Sequence, residues 1–195
     1  MPTIVENFDA VSIKNSSVQF KQNDGSFANG TKFGCVGSVE GETTLREIIK
    51  RCEGVEVAKK SKPEKMDITV SGHIPVQVVR DLFGLKTDNL KPGIYSYSKD
   101  SKGKEFIYTA DVIDEFEEVT KLIAFPKAVS STGFKFAIEN GADEVAQLEI
   151  AFSCYPDGQG HLYYEALVSE LNDPTIAETW HTSFDYALVE AIPTP

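Results

Sequence analysis

The chain has 195 residues, 41% of them hydrophobic, with 30 acidic against 19 basic side chains and a formal net charge of -11. That is enough apolar material for one sizeable core, which excludes wholesale disorder, and the acidic balance argues against tight binding to a polyanion, which rests on Lys and Arg neutralising phosphates. No apolar run approaches the ~18 residues of a membrane helix, and Met1 to Ala10 carries Glu6 and Asp9 where a signal peptide would be basic and then apolar, so a cytoplasmic protein without membrane contact is expected.

Between Phe20 and Phe33 the dipeptides Asp24-Gly25 and Asn29-Gly30 favour positive backbone φ and mark tight turns, so the N-terminal third reads as turn-rich β structure. Thr44 and Glu47 then stand at capping-box spacing, followed by Leu45, Ile48, Ile49 and Cys52 at i, i+3, i+4 and i+7. This pattern predicts an amphipathic helix ended by Gly54. At about two turns it is too short to persist alone and would have to dock on a sheet. A basic loop follows, with Lys59, Lys60, Lys62 and Lys65 around Pro63.

Residues 66–74 alternate strictly, with Met66, Ile68, Val70 and Ile74 on one face and Asp67, Thr69, Ser71 and His73 on the other, which predicts a strand with one buried face. Pro75 suits the first position of a second helix, in which Val76, Val79, Leu82 and Phe83 form a stripe before Gly84 stops it. Further strands are predicted over Ile94–Ser98, Glu105–Ile113 and Val119–Phe125, the last ended by Pro126. The run Asp114-Glu115-Phe116-Glu117-Glu118 reads as a solvated turn or as part of an acidic wall. Ala146 to Cys154 alternates again, and the turn Pro156-Asp157-Gly158-Gln159-Gly160 predicts a hairpin with His161–Val168. The fold class expected from this order is mainly β, an antiparallel sandwich or strongly curved barrel with a flanking helix; Glu56–Lys65 and Ala128–Asp143 would be extended loops or arms.

Chemistry is not signposted. Cys35, Cys52 and Cys154 form no Cys-x-x-Cys pair, which argues against a disulfide framework or a zinc site, and Cys52 and Cys154 read as small core residues. There is no Gly-x-Ser-x-Gly elbow, P-loop, His-Glu-x-x-His helix or EF-hand loop, and His73, His161 and His181 read as packed or surface residues. No catalytic residue, metal ligand or cofactor is expected. Tyr95, Tyr97, Tyr155, Tyr163, Tyr164 and Trp180 leave open a monomeric carbohydrate-binding module with an aromatic platform.

The phrase from Gly41 to Gly54, Gly-Glu-Thr-Thr-Leu-Arg-Glu-Ile-Ile-Lys-Arg-Cys-Glu-Gly, followed by Met-Asp-Ile-Thr-Val-Ser-Gly-His-Ile-Pro over 66–75, resembles the major tail proteins of long-tailed bacteriophages of Gram-positive hosts. The resemblance extends through Val119-Thr120-Lys121-Leu122 and Phe184-Asp185-Tyr186-Ala187-Leu188. It implies a tail-tube subunit that forms rings, six copies each, stacking into a hollow tube that conducts double-stranded DNA without binding it. Its partners would be further copies of itself and other tail components such as a tape measure, a tail terminator and a distal tail protein, in a virion assembled in host cytoplasm. Residues 1–195 would be the bare tube domain, without the immunoglobulin-like domain some relatives append. Tubes of contractile tails and secretion systems share the architecture and remain alternatives. On this reading Asp67, Thr69, Asp111, Gln147 and Glu149 would line the lumen, the lysines at 59, 60, 62 and 65 would meet an acidic surface of the adjacent ring, and Leu45, Ile48, Ile49 and Cys52 would dock the first helix on the sheet.

Overall fold

A computed structural model describes residues 4–138 and 145–191. The polar stretch expected to form an arm over Ala128–Asp143 falls partly outside these residues, as do the chain's last four positions. The fold is mostly antiparallel β, as expected. Strands β1 (Ala10–Phe20), β2 (Thr31–Lys32), β3 (Cys35–Cys52), β4 (Val55–His73), β5 (Phe106–Asp114), β6 (Thr120–Ser130) and β7 (Leu148–Cys154) form one curved sheet in the order β2-β1-β5-β6-β7-β4-β3, and β8 (Tyr164–Leu167) pairs with the first half of β6. Three short helices accompany it: α1 (Val76–Phe83), α2 (Thr175–Thr179) and α3 (Tyr186–Val189).

The alternating segments behave as their pattern requires. Ile68 and Val70 of β4 and Ile150, Phe152 and Cys154 of β7 point to the concave side, where they meet Phe20, Phe33, Phe106, Tyr108 and Phe125. The aromatic rings interlock edge to face, Phe33 against Tyr108 at 5.1 Å and Phe106 against Phe152 at 5.3 Å. Helix α1 closes this core with Val78, Leu82 and Phe83, and Gly84 ends it in the left-handed conformation, φ 67°. Val76, expected in the stripe, is exposed, because the helix turns Val78 inward instead.

A second, smaller cluster lies on the opposite face of β5 and β6. Ile107, Leu122 and Ala124 are covered there by Trp180 and Phe184 of the C-terminal segment. Strand β5 is thus buried on both faces, its polar Thr109 and Asp111 included.

Four expectations are corrected. Residues 44–53 are not a helix: Thr44–Cys52 is the outer part of β3, and the basic stretch 55–65 is the outer part of β4, paired from Cys52↔Val55 to Thr44↔Lys65 around the turn Glu53-Gly54. Both turn residues have positive φ, 49° and 83°, the geometry of a type I′ hairpin whose twist matches its strands. Ile94–Ser98 is not a strand and contributes one isolated bridge, Lys86↔Ser96. Pro126 does not end β6; it sits where the β5–β6 register shifts, a place that tolerates its missing N–H. The turn after β7 forms, but β8 returns to β6 rather than to β7, because β7 is already flanked by β4 and the end of β6.

Candidate functional site

The most unusual element is the ribbon formed by residues 44–65. Strand β7 pairs with β4 only from Met66 to Gly72, so among the described residues the outer part of the β3–β4 hairpin carries no third strand and no covering layer. At ~3.3 Å per residue it reaches roughly 30 Å beyond the sheet. Two-stranded ribbons are marginal in water without a partner. This one nevertheless exposes Leu45, Ile48, Ile49, Val55 and Val57, each at least 39% accessible. Leu45, Ile48, Ile49 and Cys52 therefore dock on nothing among the described residues, and Cys52 is exposed at the tip instead of buried.

Register sorts the arm's charges. Arg46 faces Lys62, Ile48 faces Lys60 and Lys50 faces Ala58, which gathers four cations on one face. The other face holds Glu47 paired with Lys59 at 2.5 Å. Lys59, Lys60 and Lys62 are thus strand residues of the arm and not members of a loop. The arm as a whole has seven basic and four acidic residues, leaving 26 of the 30 acidic but only 12 of the 19 basic side chains on the remainder.

Lys65 stands at the arm's base. Its Nζ contacts the Asp67 carboxylate at 2.7 Å, which also accepts from Ser153 Oγ at 2.5 Å. These bonds, that from Lys65 foremost, hold Asp67 below the usual carboxylate range, and Asp67 in turn raises Lys65. A depressed folded-state value stabilises the fold above the unfolded value and is lost as pH falls through the folded one. Asp67→Asn is therefore expected to lower the urea midpoint at neutral pH, with the difference from wild type closing once the medium is more acidic than the carboxylate range. A pH-independent difference would show that the ion pair contributes nothing.

Asp67 and Thr69 share a face with Ser153, Ala151 and Glu149 through the pairs Asp67↔Ser153, Thr69↔Ala151 and Ser71↔Glu149. Gln147 precedes β7 and lies beside Gly37. The same face gains Glu42 opposite Asp67 and Glu40 opposite Thr69, two carboxylates that no alternating pattern in the sequence marks. Asp111 does not join this group. It is 7% exposed, accepting from Asn15 Nδ2 at 2.6 Å and bonded to His181 Nε2 at 2.8 Å, beneath the C-terminal segment.

The Asp111 carboxylate accepts from His181 Nε2–H, and the other ring nitrogen, Nδ1, shares a hydrogen bond with Thr109 Oγ1 at 3.0 Å. Thr109 is fully buried, and the Thr-His-Asp constellation pins the C-terminal segment to the sheet. Ser17 Oγ donates to the His181 carbonyl at 2.7 Å, and Gly30 passes so close that a methyl group there would overlap the same oxygen.

Cys154 is buried, which pushes its thiol up, and burial pushes Tyr108 up to about 12. Among the described residues no group of three or more His, Cys, Asp or Glu is arranged to hold a metal ion. Trp180 is 1% exposed, so it cannot serve an aromatic platform. Tyr95 lies under the Arg80 guanidinium at 3.6 Å.

No protein-family model and no curated protein sequence matches the chain. Among solved structures it is similar to the tube-terminating cap of the anti-feeding prophage, determined by cryo-electron microscopy, with a TM-score of 0.45 and 10% identity over 84% of this chain and 95% of that one.

Proposed function

We propose that this chain is a structural subunit of a phage tail tube, polymerising with copies of itself as stacked, six-membered rings and carrying out no reaction of its own. The observation that supports this reading is the bare arm at 44–65, whose exposed Leu45, Ile48, Ile49, Val55 and Val57 and whose cationic face have no partner among the described residues of an otherwise acidic chain. Apolar ribbon surface of this kind marks a protein contact. The sheet supports the same reading. Its outer β3 edge is unpaired among the described residues, and open edges that join in a closed ring satisfy their backbone groups and remove a template for aggregation. Stacking of rings joins unlike faces, so it propagates into a tube.

The face bearing Glu40, Glu42, Asp67, Thr69 and Glu149, extended by Gln147, suits a lumen wall. DNA carries about one negative charge per ~1.7 Å of axis, and an acidic wall lets it slide instead of sticking. Tape-measure, terminator and distal tail proteins would be the neighbours in such a virion.

Cryo-electron microscopy of concentrated protein tests both levels. Hollow tubes with Asp67 and Glu149 facing the bore are expected. Tubes with these two residues on the outer wall would overturn the lumen assignment, and a protein that stays monomeric at every concentration while binding a glycan would overturn the assembly reading.

A further inference from the structure

The start of β3 lies beside the middle of β1, and from there the two strands part. Phe33 N–H donates to the Ser16 carbonyl at 2.8 Å, which ties the chain entering β3 to β1. Beyond that point each strand carries a bulge. In β1 the register shifts between Lys14 and Ser17, with Asn15 at φ 52°; in β3 it shifts between Val36 and Ser38. Bulges bend and twist the strand that bears them. The result is a fork, with Ala10–Ile13 on one prong and Gly37–Glu40 on the other, enclosing a cleft of about 400 Å³.

Ile13, Val39, Val112 and Ile123 make the cleft's walls apolar. Val11 on its lip is 68% exposed, and the Ser12 hydroxyl is buried without a hydrogen-bond partner. Both prongs present strand edges that are unpaired among the described residues. Glu40 supplies a negative rim.

We infer that this fork receives the tip of the arm of a second copy of the chain, an inference that rests on the self-assembly proposed above. The complementarity is twofold. Val55 and Val57 near the tip are exposed apolar side chains of a size the cleft admits, and the ribbon's own edges are open for strand pairing with Ala10–Lys14, while the tip's charges, Lys50 and Arg51 against Glu53 and Glu56, balance. An inserted strand also brings backbone groups to the orphaned Ser12 hydroxyl.

Cys52 at the tip is a built-in reporter. In a Cys35→Ser background, Ser12→Cys and, separately, the exposed-lip variant Val11→Cys are polymerised, oxidised with copper phenanthroline and run on non-reducing gels beside dilute, unassembled protein. The expected result is conversion of most of the monomer band into a disulfide ladder in the assembled samples, at least ~10-fold above the dilute control, with no ladder when Cys52 is replaced by Ser. Val11→Cys covers the case in which Ser12→Cys fails to fold. Tubes that form normally without a ladder from either variant overturn the fork as the receptor while leaving self-assembly standing. Absence of tubes from the unmodified protein overturns self-assembly, and this inference with it.

Discussion

Replacing Lys60 and Lys62 together by Glu is expected to abolish or severely shorten tubes while leaving the monomer folded. Both lysines are fully exposed strand residues on the same face of the arm as Arg46 and Lys50, and neither packs against the core, so the substitution should change monomer stability by no more than about 0.5 kcal/mol. Its effect on assembly is of another order. Turning a cationic arm into an anionic one sets like charge against the acidic remainder of the neighbouring copy, and such juxtaposition costs several kcal/mol at a contact. At 1.4 kcal/mol per tenfold, a 10- to 100-fold rise in the protein concentration needed for polymer is the expected minimum. Sedimentation and negative-stain microscopy read this directly, and circular dichroism checks the fold. Added salt should act in the same direction, because the Debye length contracts to about 3 Å at 1 M. Unchanged polymerisation would reject the arm's cationic face as a stacking surface.

The largest effect on stability is expected from Trp180→Ala. The indole is 1% exposed, donates to the Ile123 carbonyl at 3.0 Å and meets Phe184 edge to face at 4.7 Å. Truncation removes the lid from Ile107, Leu122 and Ala124 and leaves a buried acceptor without its donor, for a loss of about 3–5 kcal/mol. Against a typical total of 5–15 kcal/mol this is a large fraction. Urea denaturation should show a much lower midpoint, and the uncovered face of β5 and β6 should raise the aggregation rate. A loss below about 1 kcal/mol would mean that the C-terminal segment is held chiefly by the His181 contacts to Asp111 and Thr109.

Sequence alone determined the elements that possess a buried side. The strand over 66–74, the strands of β5 and β7, and the Pro75-to-Gly84 helix are legible because a core on one side forces a period of two or of 3.6 on the residues that meet it. The mainly antiparallel β architecture followed from their order. The arm was misread for the complementary reason. With both its faces in water, no packing imposes a period, so Leu45, Ile48, Ile49 and Cys52 could fall at helical spacing by composition alone. What decides its conformation is cross-strand pairing with residues 55–65, an interaction between segments that local pattern does not encode.

Tertiary structure also decided what covers each polar face. Thr109 and Asp111 alternate along β5 as Asp67 and Thr69 do along β4, yet the first pair lies beneath Trp180, His181 and Phe184 and the second stays open. The choice of β6 as partner of β8 and the fork between β1 and β3 belong to the same class. Alternation records only that the two sides of a strand differ. Which segment arrives to cover either side depends on contacts between residues far apart along the chain, and these exist only once it has folded.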